Sequence, residues 1–151
     1  MFYGEYEHAL DAKDRVIIPA KFREVFKEHY AEQFFMTRGL DRCLFLFIEE
    51  EWRIQEKRLK SLSFTREQAR AFNRLFFSGA TEVTCDKQGR ILIPQYLKKY
   101  AGITEEVMLI GVTNRVEIWD KPTWEKFCQK HLESYETLAE KLLEDHGGQN
   151  T

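Results

Sequence analysis

The sequence predicts an α+β fold made of two tandem copies of one strand–turn–strand–helix–strand–turn–strand unit, each with a trailing helix. Three observations carry this reading. The phrase DAKDRVIIP at 11–19 returns as DKQGRILIP at 86–94, with Asp, Arg, one Ile and Pro identical in place. The residues after each phrase keep one order: a short amphipathic segment, an apolar segment, a polar turn ending in Arg, and a second apolar segment before a Trp. Finally, 43% hydrophobic and 14% aromatic residues, with 12 Phe, provide ample material for a packed core.

Each element has a local reason. EHAL (7–10) and EVTC (82–85) lead into the two Asp residues, and the aliphatic triplets 16–18 and 91–93 lead out as strands expected to be buried. Three residues between Asp and Arg suit a tight hairpin connection. Gly89 marks a position of positive φ, where the first copy has Asp14, one of the few other residues that tolerates it. Pro19 and Pro94 open short helices, at a turn where a missing N–H costs nothing. Phe22, Val25 and Phe26, like Leu97, Tyr100 and Ala101, recur at i, i+3 and i+4 and form the helices' apolar faces. FFMTRG (34–39) and VMLIG (107–111) read as strands, followed by turns at Asp41-Arg42 and Asn114-Arg115. CLFLFI and VEIW read as their partner strands, with Trp52 and Trp124 opening longer helical stretches.

These elements divide the chain into a first repeat with its trailing helix at 1–60, a connecting helix at 61–79, a second repeat at 80–124, and an acidic amphipathic helix with a frayed tail at 125–151. In the connecting helix, Thr65-Arg66-Glu67-Gln68 is a capping-box pattern, and Phe72, Leu75 and Phe76 supply an apolar face. Arg66, Arg70 and Arg74 share one side, either as a solvated face or as a nucleic-acid or subunit contact. The last helix, from about 122 to 145, aligns Trp124, Phe127, Cys128, Leu132, Tyr135, Leu138 and Leu142. That stripe packs either on its own chain or on a neighbouring subunit. Residues 146–151 read as frayed.

The N-terminal MFYGEYEHALD is acidic and broken by Gly4, unlike a secretory leader. The longest apolar runs, 43–48 and 107–112, fall far short of the roughly 20 residues a membrane span needs. Cys43, Cys85 and Cys128 are odd in number and widely spaced, which suits a reducing compartment and gives no zinc pattern. The expectation is a soluble, intracellular protein. Net charge is −2, and the six acidic and three basic residues of 125–151 leave +1 for the remainder. A nucleic-acid partner therefore requires local basic patches.

Asp11 and Asp86 superficially resemble an acid/base pair, but no catalytic motif accompanies them, and His8, His29, His131 and His146 form no ligand-spaced group. No catalytic residue, metal or cofactor is expected. An Asp ahead of a tight turn accepts hydrogen bonds from turn N–H groups, and an Arg four residues on can pair with it, so Asp11 and Asp86 read as bracing residues. Arg15 and Arg90 stand at the turn tips beside Lys13 and Lys87, where binding groups concentrate. Such an Arg can fork onto guanine edges or phosphates.

DAKDRVIIPAKFR, DKQGRILIPQYL and TRGLDRCLFLF together resemble the bacterial MraZ family, within the AbrB-like swapped-hairpin superfamily, over essentially the whole chain. The resemblance implies tandem swapped-hairpin β-barrel halves with flanking helices. It implies a DNA-binding transcriptional regulator, a repressor of the division and cell-wall gene cluster including its own promoter. It also implies a homo-oligomer, an octameric or dodecameric ring, reading direct repeats in double-stranded DNA, with no membrane or small-molecule substrate. The implied location is cytoplasmic and nucleoid-associated. By position, Arg15 and Arg90 carry DNA binding, with Lys13 and Lys87 beside them and Asp11 and Asp86 as braces. Two departures stand out: Asp14 replaces the usual Gly and adds a negative charge beside Arg15, and Gln88 stands at the position equivalent to Lys13. The alternative is a structural or protein-interaction oligomer, which would form large particles yet give no salt-sensitive binding to DNA.

Overall fold

In a computed structural model, the backbone of residues 1–149 and the side chains of residues 1–144 are described. The chain divides into two units, Met1–Lys121 and Pro122–Thr151. In the first unit the elements run β1 (Phe2–Ala9), β2 (Arg15–Ile17), α1 (Ala20–Glu28), β3 (Phe34–Arg38), β4 (Leu44–Ile48), α2 (Glu49–Lys60), α3 (Glu67–Ser78), β5 (Thr81–Val83), β6 (Arg90–Leu92), α4 (Gln95–Tyr100), β7 (Glu106–Thr113) and β8 (Val116–Asp120). The order expected for each copy is therefore present twice.

The pairing interleaves the copies. Six strands form one antiparallel sheet in the order β1-β7-β8-β4-β3-β5, and the other two, β2 and β6, form a separate antiparallel ribbon. Among the described residues, only β3–β4 and β7–β8 are hairpins within a copy; β1–β7, β4–β8, β3–β5 and β2–β6 each join one copy to the other. The expected hairpin across each Asp-x-x-x-Arg turn is thus corrected. The turn closes locally, through Asp11 N–H to Arg15 O at 3.0 Å and Asp86 N–H to Arg90 O at 2.9 Å. The strand leaving it then pairs with its counterpart in the other copy.

The physical reason lies in the aliphatic triplets. In the ribbon Arg15 faces Leu92, Val16 faces Ile91, and Ile17 faces Arg90. Side chains alternate along a strand, so Val16, Ile18, Ile91 and Ile93 turn inward, and all are at most 1% exposed. They join Phe22 and Phe26 of α1, Leu97 of α4, and Leu44, Leu46, Leu109 and Ile118 of the sheet in one core. Ile17 and Leu92 turn outward, at 43% and 53% exposure, so the expected burial of both whole triplets is corrected to two residues of each.

The other face of the sheet carries an aromatic layer. Trp52 of α2 stacks on Phe35 at 5.1 Å and on Phe76 of α3 at 5.5 Å. Phe47 of β4 lies 5.9 Å from the same Trp52 ring, which helps to explain why β4 is buried at every residue. Thr37 is buried there too, its hydroxyl donating to Phe76 O at 2.5 Å, so the one polar side chain of β3's interior is satisfied. Gly111 lies opposite Gly4 in the β1–β7 pairing, and a Cβ on it would collide with the Tyr3 backbone nitrogen.

Two expected helices change. The connecting helix expected over 61–79 begins only at Glu67, behind a turn. The capping box is not made: Thr65 Oγ1 is bonded to Ser63 Oγ at 2.7 Å, and the N-cap Arg66 makes no side-chain cap bond. Arg70 does part of that work by donating to the carbonyls of Phe64 and Thr65, both at 3.1 Å. Of the arginine stripe, Arg70 is therefore structural, while Arg66 and Arg74 are exposed. Lastly, the single helix expected over 122–145 is divided into α5 (Lys121–His131), a 3-10 turn (Leu132–Ser134) and α6 (Tyr135–Gln149). Ser134 Oγ donates to His131 O at 3.1 Å, a side-chain bond that competes with regular helix. Leu132, Tyr135, Leu138 and Leu142 of the expected stripe are exposed. Of the tail expected to fray, 146–149 belong to α6, and 150–151 lie outside the described residues.

The ribbon makes a sharp prediction, because neighbouring aliphatic residues have opposite fates. Ile91→Ala is expected to cost about 2–5 kcal/mol, and Leu92→Ala to stay within about 0.5 kcal/mol, both read from urea unfolding midpoints. Equal losses would contradict the ribbon's register.

Candidate nucleic-acid interface

Both Asp-x-x-x-Arg turns have the same hydrogen-bond pattern. Asp11 Oδ1 accepts from the Lys13 and Arg15 N–H groups, each at 2.9 Å, and Oδ2 accepts from Arg15 Nε at 2.7 Å. Asp86 Oδ1 accepts from the Gln88 and Arg90 N–H groups, also at 2.9 Å, and Oδ2 accepts from Arg90 Nε at 2.8 Å. One carboxylate thus closes the turn with one oxygen and holds a guanidinium with the other. Arg90 Nη1 also lies 3.6 Å from Asp11 Oδ2, an ion pair between the two copies.

The residue at the fourth position of each turn has a left-handed backbone. Gly89 has φ of +78° and Asp14 +60°, in keeping with the sequence reading. The surroundings of Asp14 differ from expectation, however. Its carboxylate pairs with Lys98 Nζ of α4 at 2.8 Å, so the added negative charge is neutralised by a residue 84 positions away. At the other turn Arg23 of α1 lies over Gly89, with Nη1 2.7 Å from where a Cβ would stand. The repeated phrase contains neither Lys98 nor Arg23, although the sequence carries a signal for both: each is the fourth residue after its repeated Pro.

The outer face of the ribbon therefore presents Arg15, Ile17, Arg90 and Leu92, because residues facing each other across an antiparallel pair project to the same side. Lys13 and Lys87 are exposed on the two turns. With Nε of each Arg held by an Asp, the guanidinium is oriented and its Nη nitrogens keep donor capacity. A two-stranded β-ribbon is a shape that the DNA major groove admits, and Arg is the residue that most often reads guanine there.

The electrostatics agree with the geometry. The Arg15 N–H above all, with the Arg15 guanidinium and the Lys13 N–H, holds the Asp11 carboxyl below the usual carboxylate range. The Arg90 N–H does the same for Asp86, with the Arg90 guanidinium and the Gln88 N–H assisting. Elsewhere, burial pushes the Cys43 thiol far up, and Cys43 and Cys85 form no disulfide. No group of three or more His, Cys, Asp or Glu among the described residues is placed to hold a metal ion, and no described helix is long and apolar enough to cross a membrane.

The depressed carboxyls set a sign for pH dependence. A carboxylate with a lowered folded pKa contributes its full stabilisation above the ordinary value of about 3.9 and loses it as pH falls through the lower folded value. Carbon-13 NMR of labelled aspartate is expected to show Asp11 and Asp86 titrating below that ordinary value. Titration at or above it would contradict the brace.

Comparison with known proteins identifies the family. The family model described as "MraZ protein, putative antitoxin-like" matches the chain twice, at residues 1–75 and 76–146. A "Transcriptional regulator MraZ" of Acetivibrio thermocellus is 55% identical over 142 residues, covering 94% of this chain and 96% of its own. A protein of the same name from Carboxydothermus hydrogenoformans is 49% identical over 144 residues, covering 95% and 98%. With both turns, their braces and the matched halves in view, the chain belongs to the MraZ family.

Proposed function

We propose that this protein is a sequence-specific DNA-binding transcriptional regulator whose reading surface is the outer face of the β2–β6 ribbon. The observation that carries the proposal is the pair of Asp-oriented guanidiniums, Arg15 and Arg90, set on one face of a strand pair. In this reading the Nη edges of Arg15 and Arg90 contact base edges or phosphates, Lys13 and Lys87 contact flanking phosphates, and Asp11 and Asp86 keep the arginines in place. Being named as transcriptional regulators, the two relatives support the same role.

The finer features belong to the same proposal. The interleaved strands form the closed swapped-hairpin barrel halves of the AbrB-like superfamily. The chain assembles as a ring-shaped homo-oligomer that binds direct repeats upstream of its own gene and represses the division and cell-wall gene cluster. A chain of net charge −2 holding a few phosphates binds weakly by itself, whereas linked copies on repeated sites gain effective concentration. Exposed Leu132, Tyr135, Leu138 and Leu142 in the C-terminal unit supply apolar surface for such assembly.

The test is binding to a duplex from the gene's own upstream region, followed by fluorescence anisotropy at several salt concentrations. Arg15→Ala and Arg90→Ala are each expected to lose about 1–3 kcal/mol per engaged subunit, with particle size by light scattering unchanged. If both variants bind as tightly as the parent, the ribbon face is not the reading surface.

A further inference from the structure

The two turns of one chain are not equal in charge, and the difference comes from residues outside the repeated phrase. Arg23 and Lys98 occupy equivalent places, each the fourth residue after the Pro that ends its phrase. Each reaches from its own copy's helix to the other copy's turn. Lys98 meets a carboxylate there, with its Nζ 2.8 Å from Asp14 Oδ1. Arg23 meets Gly89 and packs against the bare turn.

Arg23 has no such carboxylate at the bare turn. Its Nε is buried without a hydrogen-bond partner among the described residues, and no ion pair of Arg23 is found among them. It lines an open cleft of about 370 Å³ together with Lys27, Lys87, Glu32 and Asp86. Of the two carboxylates, Asp86 is already taken up by its own turn and by Arg90. The Cys85 thiol on the same wall is held up by burial, an effect that Arg23 partly opposes. The buried Nε is out of reach of an incoming ligand, but the side chain is only half-buried, and its Nη nitrogens beside two lysines suit a tetrahedral oxyanion that can be forked by several N–H groups.

We infer that Arg23 is a DNA phosphate contact supplied by the first copy to the second copy's turn, while its counterpart Lys98 is withheld from DNA by Asp14. The second turn then anchors the backbone with Lys87, Arg90 and Arg23, and the first with Lys13 and Arg15 alone. The inference rests on the ribbon face being the DNA surface. It adds a residue that the repeated motif does not contain, and an asymmetry peculiar to a chain with Asp at 14 and Gly at 89.

Salt dependence reads this directly, because each phosphate contact adds about 0.9 to the steepness of log affinity against log salt. The probe is the duplex from the gene's own upstream region. Arg23→Gln is expected to lower the steepness by about 0.9 for each engaged subunit, and Arg23→Lys to restore most of it. Asp14→Gly is expected to raise the steepness by a similar amount by freeing Lys98, and adding Lys98→Gln to Asp14→Gly should remove the gain. Circular dichroism and light scattering check that each variant keeps its fold and particle size. If Arg23→Gln keeps the parent's steepness while Arg15→Ala still weakens binding, the phosphate role is wrong and the DNA reading survives. Should Arg23→Gln fail to fold, an unchanged steepness in Asp14→Gly overturns the asymmetry by itself. A parent that shows no salt-sensitive binding overturns both.

Discussion

Antiparallel pairing of β2 with β6 is the constraint on which the rest of this molecule depends. Each strand has only three residues, too few for an isolated ribbon to be stable in water. What holds them is the core beneath, where Val16 and Ile91 face each other and Ile18 and Ile93 extend the contact. The ends are pinned by Ile18 N–H to Gly89 O at 2.8 Å and Ile93 N–H to Asp14 O at 2.9 Å, so each turn is fixed by the strand of the other copy. In the large sheet, β1 lies on β7 and β5 on β3, again across copies. Neither copy can complete its sheets alone, which is a physical reason for both to stay in one chain.

The braced arginines do little for stability and much for position. The Asp–Arg pairs are about a third exposed or less on each arginine, and ion pairs this close to solvent add little to folding. Their value lies in removing side-chain freedom before any ligand arrives. Ordering a long side chain on binding costs about 0.5–1.5 kcal/mol, and the Asp carboxylate meets part of that cost in the free protein. Because each Asp also accepts two turn N–H groups, turn shape and arginine orientation depend on a single residue. Charge elsewhere is balanced in the same local manner: Glu117, buried in β8, accepts from Arg115 and Trp119.

Much of this was legible in the sequence, for local reasons. The repeated phrase exposed the duplication, and apolar spacing located α1 and α4 together with the hairpins β3–β4 and β7–β8. The carboxylate brace could be read from residue types and spacing alone. Strand partners could not be, since a turn and an alternating pattern describe one strand and say nothing about which strand lies beside it. The same gap hid the exposure of Ile17 and Leu92: three aliphatics in a row look like burial on both faces until the ribbon is seen to have one open side. Lys98 and Arg23 escaped because their partners, Asp14 and Gly89, are distant in sequence. The capping box at 65–68 failed for a different reason, as Ser63 engaged the Thr65 hydroxyl and the helix began later.

In the proposed function the ribbon's outer face meets DNA with both arginines still held by their aspartates. A structure of the full-length protein on a duplex from its own upstream region tests this most directly. The Nη nitrogens of Arg15 and Arg90 are expected within hydrogen-bond distance of bases or phosphates, with Nε of each still on Asp11 or Asp86. DNA lying against any other surface, or arginines that leave their aspartates to reach it, would contradict this role of the ribbon.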